Sequence, residues 1–153
     1  MLGAFDCGPE TYETEVAKWI RDWIWSKPKA QEKTIIGLDR DAEDAIVGYG
    51  TWEHVEAFLD LPADTHIEIA WFGVASAYKG VEDPEGNRAA DLLYATLEGL
   101  ALSHPDSSED MPFTLTCHVD NIRGRRFWER QGYQLIGPPY AEVEKDRYHR
   151  MVR

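Results

Sequence analysis

From Ile67 to Val74 the chain reads IEIAWFGV, apolar at every position except Glu68. A run of this kind reads as a strand covered on both faces, and the single carboxylate inside it needs a reason. A polar, glycine-bearing loop follows, Ser76 to Gly86, and then a helix from about Asn87 to Ser103, with Ala89, Leu92, Leu93, Leu97 and Leu100 as its buried stripe. Strand, loop and helix in that order set free N–H groups and the positive end of a helix dipole at one point, which suits a phosphate.

The rest of the chain alternates in the same way. Val16, Trp19, Ile20 and Trp23 recur at helical spacing between about Glu10 and Trp25, with Pro9 in the first turn and Pro28 just beyond the end. Extended segments at Thr34 to Leu38 and Ala45 to Trp52 read as an antiparallel hairpin whose loop, around Asp39-Arg40-Asp41, is longer than the tightest type. The stretch from His54 to Thr65 takes no clear assignment. Phe113, Leu115, Cys117 and Val119 alternate with Thr114, Thr116 and His118 as a strand should, and a short helix from Asn121 to Arg130 is stopped by Gly132. Tyr133 to Ile136 and Tyr148 to Val152 supply two final strands. The order is helix, hairpin, strand, helix, strand, helix, strand, strand, a mixed α/β unit.

With 153 residues and 43% of them hydrophobic, the chain is expected to form one domain over residues 1–153. No stretch approaches the roughly 20 consecutive apolar residues of a membrane helix. The N-terminus shows no basic segment followed by an apolar run, so a soluble, cytoplasmic chain is expected. Cys7 and Cys117 match neither a disulfide framework nor a metal-ligand spacing and read as reduced and structural; no metal is expected. A formal net charge of -12, from 28 acidic against 16 basic residues, argues against bulk nucleic-acid binding; it would favour a cationic partner, and solubility alone accounts for it equally well. Six tryptophans and seven tyrosines are many to bury, which leaves a homodimer interface open.

The segment CHVDNIRGRRFWERQGYQLIG resembles the strand, Asn, helix and Gly-aromatic sequence that closes the acetyl-CoA site of GNAT acetyltransferases, with Asn121, Gly124, Phe127, Trp128, Gly132 and Tyr133 at the family's spacing. WFGVASAYKG resembles the family's strand-to-loop segment, with Val74 and the pair Lys79-Gly80. Together the resemblance covers about Ile67 to Ile136. It implies a mostly antiparallel central sheet flanked by helices, containing a splayed strand pair between which acetyl-CoA lies. The pantetheine arm would bond to backbone at Phe72, Gly73 and Val74. The pyrophosphate would lie on the turn Pro84, Glu85, Gly86, Asn87, Arg88 and Ala89, of which Ala89 fits the family pattern well while Pro84-Glu85 departs from it. Asn121, Phe127 and Trp128 would complete the cofactor site.

Glu68 matches, in place and neighbours, the catalytic glutamate of the histone-acetyltransferase branch, and desolvation on such a strand would raise its pKa toward that of a useful base. His66 and His118 are alternatives or relays. The family's general-acid tyrosine corresponds to Trp128, so either the thiolate, a good leaving group, departs without that acid or another group supplies the proton, Tyr133 and Tyr94 being the candidates. The cluster Arg123, Arg125 and Arg126 would meet solvent, carboxylates, the 3'-phosphate of CoA or a nucleic-acid phosphate. The expected activity is acetyl transfer from acetyl-CoA to a primary amine, a small cationic amine or a peptide amine. A non-catalytic CoA-binding or protein-interaction module with a degenerate GNAT fold is the alternative. The opening FDCG before a helix also resembles the start of GNAT toxins that acetylate aminoacyl-tRNA and are paired with antitoxins; the net charge and Trp128 weigh against that reading.

Overall fold

In a computed structural model, residues 5–26, 33–56, 65–143 and 146–153 are described. Helix α1 spans Thr11–Ser26, strand β1 Thr34–Asp39, β2 Ala45–Val55, β3 His66–Val74, α2 Ala89–Ser103, β4 Phe113–His118, α3 Ile122–Arg130, β5 Gln134–Val143 and β6 Asp146–Val152. The strands form one sheet in the order β1-β2-β3-β4-β6-β5. Pairing is antiparallel at β1–β2, β4–β6 and β5–β6 and parallel at β3–β4. The chain divides into two compact units, Met1–Trp52 with Trp71–Pro105, and Glu53–Ala70 with Asp106–Arg153.

In the first unit α1 begins where the Glu13 carboxylate accepts the Glu10 N–H at 3.1 Å, a side chain reaching back to a donor that the helix itself cannot use. Val16 and Ala17 pack with Phe5, Cys7 and Tyr49. The side chains of Trp19, Ile20 and Trp23, expected on the same face, lie outside the described residues. The β1–β2 loop is longer than a two-residue turn, as expected: Asp39 caps a 3-10 turn at Arg40–Ala42, and Glu43 and Asp44 then take left-handed backbone at φ 54 and 58. β2 runs on to Val55, into the stretch that carried no assignment.

Helix α2 is rotated from its expected stripe. Leu93, Tyr94, Leu97 and Ala101 are buried, while Leu92 and Leu100 are 48% and 47% exposed. Glycines of the hairpin explain the rotation. A Cβ on Gly48 would come within 3.1 Å of Leu93 Cδ2, and one on Gly50 within 2.3 Å of Leu97 Cδ1, so these two leucines sit in hollows that only glycine leaves open. Tyr94, 1% exposed, meets Phe72 of β3 edge-on at 6.4 Å.

In the second unit Asn121 caps α3 through a 2.8 Å bond from the Gly124 N–H, and any Cβ at residue 124 would collide with that side chain. The helix ends at Gly132, φ 93. β5 is much longer than the expected Tyr133 to Ile136, because Gly137-Pro138-Pro139 interrupts the ladder without ending the strand. Between the pairs Ile136↔Arg150 and Tyr140↔Tyr148, three residues of β5 face one of β6, and such a bulge takes the prolines out of the hydrogen-bonding register.

Candidate active site

Glu68 lies in β3, registered with Thr114 of β4, and the parallel ladder stops at that rung. Only Ile67↔Phe113 and Glu68↔Thr114 are registered, although β3 continues to Val74 and β4 to His118. The register of this parallel pair is thus two rungs long. Residues two apart on a strand share a face, as do registered partners. His66 and Thr114, both fully buried, therefore share the face of the half-buried Glu68. Burial pushes the His66 imidazole below its ordinary value of 6.5, so it is neutral at pH 7.

The same face carries a row of rings across three strands. His118 of β4 meets Tyr148 of β6 at 5.3 Å, and Tyr148 lies 6.1 Å from Tyr140 of β5. His118 also accepts the Asp120 N–H at Nδ1, 3.2 Å away. Phe127 and Trp128, the expected cofactor-site aromatics, are buried on α3 with centroids 4.8 Å apart, and Trp128 meets Tyr133 at 5.4 Å. Tyr133 is 2% exposed and is held there through its N–H, which donates to the Trp128 carbonyl at 3.0 Å. In the arginine cluster, Arg125 pairs with Glu129 at 3.5 Å.

In the first unit the end of β3 is closely covered. A Cβ on Gly73 would come within 2.8 Å of Cys7 Sγ, and Val74 is buried. Beyond the strand, Ala75 N–H donates to Val47 O at 2.8 Å and Ser76 N–H to Asp6 O at 2.9 Å. The Lys79 ammonium turns inward to the Cys7 carbonyl and the Glu13 carboxylate.

The loop before α2 is organised by a residue that the sequence reading passed over. Asp83 Oδ1 accepts the N–H groups of Asn87 at 2.8 Å and Glu85 at 2.9 Å, its main-chain oxygen accepts from Gly86 at 2.9 Å, and the Asn87 amide bonds both carboxylate oxygens. These donors, led by the Asn87 N–H, hold its carboxyl below the usual value. Three of the amides expected to meet a pyrophosphate are thus already engaged within the loop. Gly86 takes φ 85, Arg88 is the N-cap, and Ala89 opens the helix. Asp83-Pro84-Glu85-Gly86-Asn87 is a run of turn formers, and the ability of Asp to bond N–H groups shortly after it was the available signal. Beside the loop lies a cleft of about 640 Å³, lined among others by Ile36, Leu38, Val81, Asn87 and Leu92.

No family model matches the chain, and its sequence matches no curated protein. Its fold does match solved structures. Arabidopsis thaliana Naa50, in complex with the bisubstrate analogue CoA-Ac-MVNAL, superposes with a TM-score of 0.55 at 12% identity over 95% of either chain. A GNAT-family acetyltransferase of Bacillus cereus gives 0.56 at 15% identity over 90% of this chain and 79% of that one. Escherichia coli ElaA gives 0.53 at 16% identity over 97% and 95%. At these identities the likeness is one of fold.

Proposed function

We propose that this chain, which has the fold of the GNAT acetyltransferases, is an N-acetyltransferase that moves the acetyl group of acetyl-CoA to a primary amine. One observation carries the reading: the β3–β4 ladder ends at the rung bearing Glu68, the one carboxylate of an otherwise apolar run. Past that rung an extended ligand arm can bond to β3 as a strand would. Phe72, Gly73 and Val74 supply backbone for the pantetheine arm, and Gly86, Asn87, Arg88 and Ala89 lie where the pyrophosphate is held. In the second unit, Asn121, Phe127 and Trp128 are the residues proposed to meet the cofactor.

Bound acetyl-CoA supplies an activated acyl group. Glu68, directly or through water, takes a proton from the acceptor ammonium, and the freed nitrogen attacks the thioester carbonyl; as the amide bond forms and the carbon–sulfur bond breaks, the nitrogen sheds a second proton, which balances the one the thiolate gains. The thiolate leaves as such or takes its proton from a side chain. Trp128 has none of useful acidity, and Tyr133 is the candidate donor. That Naa50 was solved with a CoA–peptide analogue favours a peptide amine among the acceptors.

The test is thiol release from acetyl-CoA by native and Glu68→Gln protein across a panel of amines, with acetyl-CoA affinity measured by calorimetry. Glu68→Gln should lower kcat by about 100-fold, within the usual range for a lost general base, with affinity for acetyl-CoA unchanged. An unchanged kcat removes Glu68 from the role. Acetyl-CoA binding with no turnover on any amine favours the non-catalytic module, for which the internally engaged amides of the Asp83 loop are the supporting observation.

A further inference from the structure

Among the described residues, one cation on the Glu68 face of the second unit has no carboxylate paired with it. Arg150 of β6 is registered with Thr116 of β4, two residues along from Thr114, the partner of Glu68. Arg150 and Glu68 therefore stand on the same face of the sheet. Two strand spacings of about 4.8 Å and a two-residue rise of about 3.4 Å per residue put their Cα atoms roughly 12 Å apart. The guanidinium lies 4.2 Å from the centroid of the Tyr140 ring, and its Nε is enclosed without a hydrogen-bond partner. Its same-face neighbours in the register, Thr116, Ile136 and Tyr148, offer no negative charge. Other arginines are spent differently: Arg88 pairs with Glu82 at 3.1 Å and Arg125 with Glu129 at 3.5 Å. In a chain of 28 acidic residues, a guanidinium on the same face of the sheet as the candidate base that meets none of them among the described residues is available to a ligand.

A guanidinium keeps its charge at any working pH, and its planar fork fits a carboxylate better than a point cation does. Stacking on Tyr140 holds that fork in place before anything binds. We infer that Arg150 receives the carboxylate of the acceptor, which makes the acceptor an amine that also carries an acid. This rests on the acetyl-transfer reading above. An amine at Glu68 and a carboxylate at Arg150 must bridge most of the gap between them. An ω-amino acid or a short peptide fits that gap, whereas an α-amino acid carries both groups on one carbon. The rings of Tyr148 and His118 line the same face and can cover the apolar stem.

The test compares 6-aminohexanoate with 6-aminohexanamide, which match in length, carry one amine each and differ in charge at the far end. By thiol release, native protein should show kcat/KM at least about tenfold higher for the acid, as expected for a charge-assisted contact. Arg150→Gln should bring the ratio near one, and Arg150→Lys, which keeps a cation without the fork, should fall between. A native ratio near one, or a ratio that survives Arg150→Gln, overturns the assignment. Calorimetric titration with 6-aminohexanoate separates this from the reaction itself. Arg150-dependent binding without thiol release keeps the carboxylate subsite and sinks the transferase reading; equal turnover of acid and amide does the reverse, and neither binding nor release overturns both.

Discussion

Glu43 and Asp44 hold consecutive left-handed conformations at the end of the β1–β2 loop. Aspartate tolerates that region better than glutamate, because its short side chain can bond locally. Glycine at residue 43 would remove the steric cost while adding freedom to the unfolded chain, and the first effect is the larger. Glu43→Gly should therefore stabilise the protein by about 0.5–1 kcal/mol, read as a higher midpoint in urea; a lower midpoint would mean that the carboxylate makes a contact worth more than the strain. At this scale the sequence was most legible where chemistry and spacing coincide. Glu68 stood out as a charge in an apolar strand, and Asn121 with Gly124 as a cap and the small residue it requires. Asp83 did not stand out, because a carboxylate among turn formers looks the same whether it bonds three amides or none. Arg150 did not either, since an arginine on a strand announces nothing until the register shows which residues it faces.

The loop before α2 and the two elements it joins show how an element differs from its pattern. With its carboxyl held ionised by neighbouring N–H groups, Asp83 places a negative charge at the turn proposed for the pyrophosphate. Asp83→Asn keeps an accepting oxygen and removes the charge. If acetyl-CoA is held there, the variant should bind it several-fold more tightly, by calorimetry at low salt, with the gain shrinking as salt screens it. An affinity that is equal or weaker at every salt concentration would place the pyrophosphate elsewhere. For α2, the period was legible and the phase was not. Leu92 and Leu93 are equally apolar, and which one is buried depends on hollows at Gly48 and Gly50, far away in sequence. For β5, the expected strand stopped at Ile136, whereas the observed one runs through Gly137-Pro138-Pro139 to Val143. The bulge that carries them lies in the pairing with β6, which no local pattern records.

For the molecule as a whole, buried titratable groups define a window of stability. Burial pushes Cys7 from its ordinary 9.0 to about 12 and Cys117 to about 11, and raises Tyr49 as well. A raised pKa contributes stability below the unfolded value and loses it above, so ionisation in the unfolded chain should destabilise the fold from about pH 9 upward. His66, lowered by burial, works the other way: its contribution is present above its ordinary 6.5 and is lost as pH falls below it. The thermal midpoint should thus be highest between about pH 6.5 and 9 and fall on either side; calorimetric scans from pH 5 to 11 check it, and a midpoint still rising above pH 10 would contradict the burial of both thiols. The order of elements was legible throughout, because each switch from a period of two to one of 3.6 marks a boundary. Among the described residues no helix is long and apolar enough to cross a membrane.

A continuous sheet has two edges, but one whose central ladder stops after two rungs has inner flanks as well. Backbone groups along such a flank do not distinguish a ligand's amides from those of a stray strand, so if a thioester arm bonds to β3 as proposed, the same groups are where a misplaced segment of another chain could lodge. Occupancy by a small partner would then protect the sheet from its own unfinished pairing, so that the ligand would bear on how readily the chain aggregates as well as on what it does.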